Sequence, residues 1–173
     1  MKLLATFVSI LVLSVPALAD HAVENASATA RAAYRAADDA ESLASAANRD
    51  AGGWDRWDSA TKSTSDVESD NVPNDHRRDT LQELGRIAHS LHYSLSDLYR
   101  TARNATDGIQ PEDHRGDRIR DAFRLSQSQF VQLSNSYRNL SRYQYSPYID
   151  QLYRSVQASF SSLEWTVYGR QFQ

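Results

Sequence analysis

His89 and His92, three residues apart, are the pair in this chain best spaced for metal chemistry. On a helix that spacing puts both imidazoles on one face, where they suit Zn²⁺ or Cu²⁺. A structural zinc site needs four ligands and a catalytic site three, with water completing the shell. The sequence supplies no third ligand beside them. His114 heads a later segment, and an antiparallel arrangement keeps it away. His92 flanks an apolar seam and His89 lies further round the helix, which is the pattern of an ordinary boundary pair. We expect no metal site and no bound cofactor.

The cofactor chemistries that helical bundles carry are excluded one by one. Covalent haem attachment requires Cys-x-x-Cys-His, and the chain has no cysteine. Haem ligation by Met and His fails because the single methionine is Met1. Carboxylate-bridged di-iron bundles place Glu three residues before His on two helices, and none of the five histidines has that neighbour. Copper sites built on sulfur fail for the same lack of Met and Cys. No Gly-x-Ser-x-Gly elbow positions a serine nucleophile, and no glycine-rich loop cradles a phosphate. The composition points away from an enzyme.

Tyrosine and arginine offer binding chemistry instead. Five of the nine tyrosines fall between Tyr137 and Tyr153, with Arg138, Arg142 and Arg154 interleaved among them. Tyr143, Tyr145 and Tyr148 lie at a turn between two helical segments. Both residue types are enriched at interaction hot spots, since each joins a large apolar body to a polar tip. Two readings compete: the rings close the end of a bundle, or they form a docking patch preorganised by Arg–Tyr stacking. Trp54 and Trp57 form a second candidate, within the polar stretch 52–72. They either anchor that stretch to the body of the protein or meet a partner. The alternating run Arg115, Asp117, Arg118, Arg120, Asp121 and Arg124 reads as a solvated face with local ion pairs. Three Asn-x-Ser/Thr sequences, at Asn25, Asn104 and Asn139, overlap seam positions and read as chance matches.

The elements that position these residues are legible from apolar periodicity. Val23, Ala26, Ala30, Ala33, Ala37, Ala40, Ala44 and Ala47 alternate spacings of three and four, a heptad seam made almost wholly of alanine. Tyr34 and Leu43 should add bulk beside it. Small knobs bury little area, so this first helix, 20–51, is expected to be the least firmly held. Leu81, Leu84, Ala88, Leu91, Leu95, Leu98, Ala102 and Ala105 mark a second helix over 73–107. Ile119, Phe123, Ser126, Phe130, Leu133, Tyr137 and Leu140 mark a third over 111–143. Ile149, Leu152, Val156, Ser159, Leu163 and Thr166, broadened by Tyr153, Phe160 and Val167, mark a fourth over 146–170. Ser146-Pro147 is a cap followed by proline at the first helical position. Strand-like alternation occurs nowhere. The expectation is an all-α, single-domain antiparallel bundle of four long helices: a three-helix unit with the Ala-rich helix laid against it. A polar loop over 52–72, opened by Gly52-Gly53, joins helices one and two and leaves the direction of helix one open.

Residues 1–19 have the form of a secretory signal. Met1-Lys2 precedes an apolar run from Leu3 to Val15, then Pro16 and Ala17-Leu18-Ala19. The run is too short for a membrane-spanning helix, which needs about 20 residues. Cleavage after Ala19 leaves 154 of the 173 residues and removes Lys2, so 18 basic residues face 22 acidic ones and the net charge becomes −4. That balance argues against a nucleic-acid partner. We expect an exported, non-enzymatic bundle, periplasmic or alternatively secreted, that binds a protein or cell-envelope component through its Tyr/Arg end. A carrier of a small ligand or metal is the alternative, with a cavity near Ser126, Ser159 and the Ala-rich helix.

Overall fold

The computed structural model describes residues 3–61, 72–107, 115–140 and 146–168, with side chains over 24–53, 76–107, 116–140 and 146–168. Four helices account for nearly all of it: α1 (Leu3–Thr61), α2 (Val72–Thr106), α3 (Arg115–Leu140) and α4 (Pro147–Tyr168). No strand occurs among the described residues.

The heptad seams become the core. Ala26, Ala30, Ala33, Ala37, Ala40, Ala44 and Ala47 of α1 are buried, and Ala36, Leu43, Ala46 and Ala51 widen the buried face. Every residue of the α2 seam, from Leu81 to Ala105, is buried to within about 1% of completion. On α4 the deep positions are Ile149, Tyr153, Val156, Phe160, Leu163 and Val167. Leu152, Ser159 and Thr166 sit half-buried beside them. Ser159 and Thr166 line a groove, Leu152 packs against the edge of the core, and the large rings face the centre.

All four packings are antiparallel, read from residue pairs. Along α1 and α2, Tyr34 meets Tyr99, the Ala37 carbonyl meets His92, and Ala44 lies beside Gly85. Across α1 and α4, Asp39 accepts a hydrogen bond from Ser155 at 3.0 Å. Across α3 and α4, Phe130 stacks on Phe160 with ring centres 4.2 Å apart, and Tyr137 on Tyr153 at 3.7 Å. With α1 running against α2 and α4, and α3 against α4, α3 also runs against α2, and the two helices share a groove lined by His76 and Ile87 on one side and Gln132 and Asn139 on the other. The direction of α1 is thereby settled: it runs against α2 and α4 and parallel to α3.

Two expectations about α1 change. First, it is no peripheral addition, because it lies along both α2 and α4, and its pairing with α2 is the most extensive in the bundle. The reason is backbone proximity: alanine knobs let two helices approach closely, and dispersion between main chains replaces what long side chains would contribute. Tyr34 adds little to that seam, being 60% exposed. Second, the helix does not stop at 51. Gly52 and Gly53 are exposed and helical, and α1 continues to Thr61. Each glycine costs about 1 kcal/mol relative to alanine in a helix. Propagating a helix already nucleated and anchored by buried Ala51 needs no new nucleus, and that continuity wins over local propensity. Of the expected 52–72 loop, residues 62–71 lie outside the described residues.

α4 begins as the sequence indicates. The Ser146 hydroxyl accepts from the Tyr148 amide at 3.3 Å, and the Ser146 carbonyl accepts from the Ile149 amide at 3.0 Å. Pro147 follows the cap, where its missing N–H leaves nothing unsatisfied. Both connections between antiparallel neighbours, α1–α2 and α3–α4, lie at one end of the bundle, so the segments carrying Trp54, Trp57 and Tyr148 point toward the same end.

Candidate interaction surface

The Tyr/Arg cluster divides between structure and surface. Tyr137 and Tyr153 are structural: their rings stack almost parallel between α3 and α4. The Tyr137 hydroxyl bonds the Asp150 carboxylate, and the Tyr153 hydroxyl donates to Ser134 Oγ at 3.1 Å. Asp150 also receives Arg154 at 2.9 Å, one turn along the same helix. Tyr153 is buried and its hydroxyl is satisfied, which is what buried tyrosine requires. Tyr148, in the first turn of α4, is half exposed and free of the stack. Arg138 occupies the last turn of α3, where a cation suits the helix dipole, and is exposed. Tyr143, Tyr145 and Arg142 lie outside the described residues. Trp54 and Trp57 fall within the last turns of α1, with side chains outside the described residues.

The histidine pair is turned to a structural purpose. His92 Nδ1 lies 3.0 Å from the Ala37 carbonyl, and Nε2 lies 3.0 Å from the Glu41 carboxylate. A carbonyl only accepts, so Nδ1 carries a proton. When Nε2 carries one too, the ring satisfies both acceptors and ties α2 to two successive turns of α1. Both ring nitrogens of His92 lie against oxygen atoms of α1. His89 lies alongside, ring centres 6.2 Å apart, and packs edge-on against Tyr93. Among the described residues no group of three His, Asp or Glu side chains is placed to hold a metal ion. The α3 charge run forms ion pairs on its own helix, Arg120 with Asp117 and Arg124 with Asp121.

Ser126 and Ser159 part company. Ser126 is fully buried, and its hydroxyl turns back toward the Ala122 carbonyl of its own helix. Ser159 borders an open groove of about 550 Å³ between α1 and α4, with Ser155, Ser162 and Thr166 on one wall and Arg31, Arg35 and Asp38 on the other.

Sequence reasoning missed the groove on the α2 side of α1, which shares Arg31, Tyr34 and Arg35 with the groove on its α4 side. There Ser27, Arg31, Tyr34 and Arg35 face Tyr99, Arg103 and Thr106 of α2 across a groove of about 650 Å³. Tyr34 and Tyr99 pack at a tilt, ring centres 5.8 Å apart. The residues are visible in the sequence, but pairing them requires the direction of α1. Once α1 runs against α2, aligning the two seams puts Tyr34 opposite Tyr99 and Arg31 opposite Arg103.

Among the described residues no helix is long and apolar enough to cross a membrane. No known protein family, curated protein or solved structure matches the chain.

Proposed function

We propose that this chain is an exported helical bundle that binds a protein or a cell-envelope component and catalyses no reaction. The observation that carries the reading is the division of labour within the Tyr/Arg cluster. Tyr137 and Tyr153 close the α3–α4 seam, and Tyr148 stands half exposed at the same end. A rigid stacked pair at the bundle end that also presents an exposed ring is a preorganised element, which lowers the ordering cost of association. Arg138 and Arg154 contribute charge to this end, and the sequence adds Arg142, Tyr143 and Tyr145 between α3 and α4. Trp54 and Trp57, near the end of α1, are further candidate contact residues. Residues 1–19 act as the export signal, and the mature chain resides in the periplasm, secretion to the medium being the alternative.

The test is a triple variant, Tyr143→Ser, Tyr145→Ser and Tyr148→Ser, compared with the parent in cross-linking capture from envelope extracts. Capture of a specific component should fall with helicity unchanged. Lost helicity would make the rings structural and end the docking reading. N-terminal sequencing of the exported protein should begin at Asp20, and retention of Met1 would remove the export premise.

The alternative, a small-ligand carrier, draws on the groove beside Ser159. It requires a ligand that co-purifies in stoichiometric amount. Mass spectrometry of the native protein that finds none would dismiss it.

A further inference from the structure

Among the described arginines some hold a carboxylate on their own helix, and others, Arg31 and Arg35 among them, do not. Arg86, Arg120, Arg124 and Arg154 each hold a carboxylate three or four residues away on their own helix. Arg31 has none within that reach: positions 27, 28, 34 and 35 are Ser, Ala, Tyr and Arg. Its guanidinium donates to the Ser27 hydroxyl at 3.2 Å. Arg35 has Asp38 and Asp39 in helical reach, yet it forms no ion pair with either, and Asp39 is taken by Ser155. Arg31 and Arg35 therefore stand as a like-charge pair at i,i+4, an arrangement that destabilises an isolated helix by a few tenths of a kcal/mol. Across the groove Arg103 adds a third cation, whose one partner, Asp107, lies at 3.5 Å with both side chains about half exposed or more. Arg31 and Arg35 stand on the ridge of α1 between its two grooves: on the α4 side they border Asp38 and Asp39, and on the α2 side they and Arg103 line a groove whose one lining carboxylate among the described residues is Asp107. Tyr34 and Tyr99 wall the same space.

We propose that the α1–α2 groove is a binding site for an organic oxyanion: a phosphate or carboxylate held by Arg31, Arg35 and Arg103, on a flat or apolar body that lies against Tyr34 and Tyr99. The guanidinium fork matches two oxygens of such a group at once. A bound oxyanion relieves the repulsion among the three cations, so the ligand is worth more here than at an isolated arginine. The site is separate from the Tyr148 end and stands whether or not that surface docks a partner.

The probes are phenyl phosphate, inorganic phosphate and sedimenting vesicles of phosphatidylglycerol or of phosphatidylcholine, with the mature full-length chain. Titration followed by NMR of the Arg side-chain N–H and tyrosine ring signals should show saturable binding of phenyl phosphate at Arg31, Arg103, Tyr34 and Tyr99. Inorganic phosphate should bind about tenfold more weakly, having no body to stack. Arg31→Gln with Arg103→Gln should weaken phenyl phosphate by tenfold or more with unchanged helicity, since both residues are exposed and glutamine is a good helix former. Tyr34→Ser should bring phenyl phosphate down to the affinity of inorganic phosphate. Phosphatidylglycerol vesicles that sediment the parent chain but not the double-Gln variant would identify the oxyanion's source as a lipid headgroup. Soluble binding alone would identify a free metabolite. Unsaturable shifts, or equal affinity in parent and double-Gln variant, would overturn the proposal. So would vesicle binding without any phenyl phosphate binding, which reports diffuse surface charge.

Discussion

Replacing Ala40 with leucine separates two accounts of the alanine seam. Ala40 is fully buried at the middle of α1, where that helix lies along α2 and α4. If the seam were loosely filled, leucine would bury about three more carbons. At about 0.8 kcal/mol per buried CH₂ that gains roughly 2 kcal/mol. If alanine is what permits the close approach, leucine must push α1 away or leave its rotamer, at a cost of about 1–3 kcal/mol. The two accounts differ in sign, so no fine accuracy is needed. For a chain of this size each kcal/mol moves the midpoint by roughly 2–4 °C. Thermal melting followed by circular dichroism should therefore show Ala40→Leu falling by roughly 2–12 °C. Leu91→Ala is the companion, since Leu91 is fully buried on α2. It should cost about 2–5 kcal/mol through the cavity left behind. A midpoint that rises in Ala40→Leu would refute close packing of α1 and restore the view of a loosely attached helix.

Three further outcomes are expected. His92→Phe keeps a ring at the α1–α2 boundary but loses the bonds to Ala37 and Glu41; stability should fall by about 1 kcal/mol, and amide exchange should speed up in α1 around Ala37 and Glu41 rather than in α3, where faster exchange would contradict the assigned tie. Tyr137→Phe preserves the stack on Tyr153 and removes the hydroxyl bond to Asp150; chemical denaturation should register a loss of about 1 kcal/mol, while Tyr137→Ala should lose several times as much, and equal losses would mean that the ring contributes nothing. Arg86 beside Glu83 holds that carboxyl below the usual glutamate range; its folded value is depressed, so the pair's support is present above the ordinary glutamate range and lost as pH falls through the lowered value. Acid titration of helicity should accordingly be shallower in Glu83→Gln over that interval, and superimposable curves would show that the exposed pair supports nothing.

The bundle was legible wherever a seam repeats in heptads. Leu81 to Ala105 marks α2 residue by residue because long apolar side chains and the helical period give one signal. Ser146-Pro147 marks the start of α4 because capping is local chemistry. Legibility failed where a local rule met a longer-range one. Gly52-Gly53 reads as a break, yet α1 passes through it on the strength of the anchored helix before it. Tyr34 has the bulk of a core residue and stands in the open, since the alanines beside it leave no depth for a ring. Along α4 the choice between Leu152, Ser159 and Thr166 and the deeper Tyr153, Phe160 and Val167 turned on which ring faces α3, and periodicity alone does not tell neighbours apart. The interaction surface was half legible for a related reason. Clustering in sequence revealed the Tyr137–Tyr153 region. The Tyr34–Tyr99 groove is assembled from two helices 65 positions apart and appears only when their directions are known.

The contrast between the alanine seam of α1 and the ring stacks of α3 and α4 also divides the molecule optically. Phe123, Phe130, Phe160, Tyr137, Tyr153 and Tyr168 all belong to the α3–α4 half. The buried α1–α2 contact is built of alanine and leucine, with Tyr34 and Tyr99 only on its outer shoulder. Near-ultraviolet dichroism, which needs rings in fixed asymmetric surroundings, is therefore weighted toward the α3–α4 half, with a smaller share from Tyr34, Tyr93 and Tyr99, whereas the far-ultraviolet amide signal weighs both halves alike. Heating the chain at the two wavelengths compares the halves without any label: coincident curves describe one cooperative unit, and an amide loss that precedes the tyrosine loss describes α1 peeling away first.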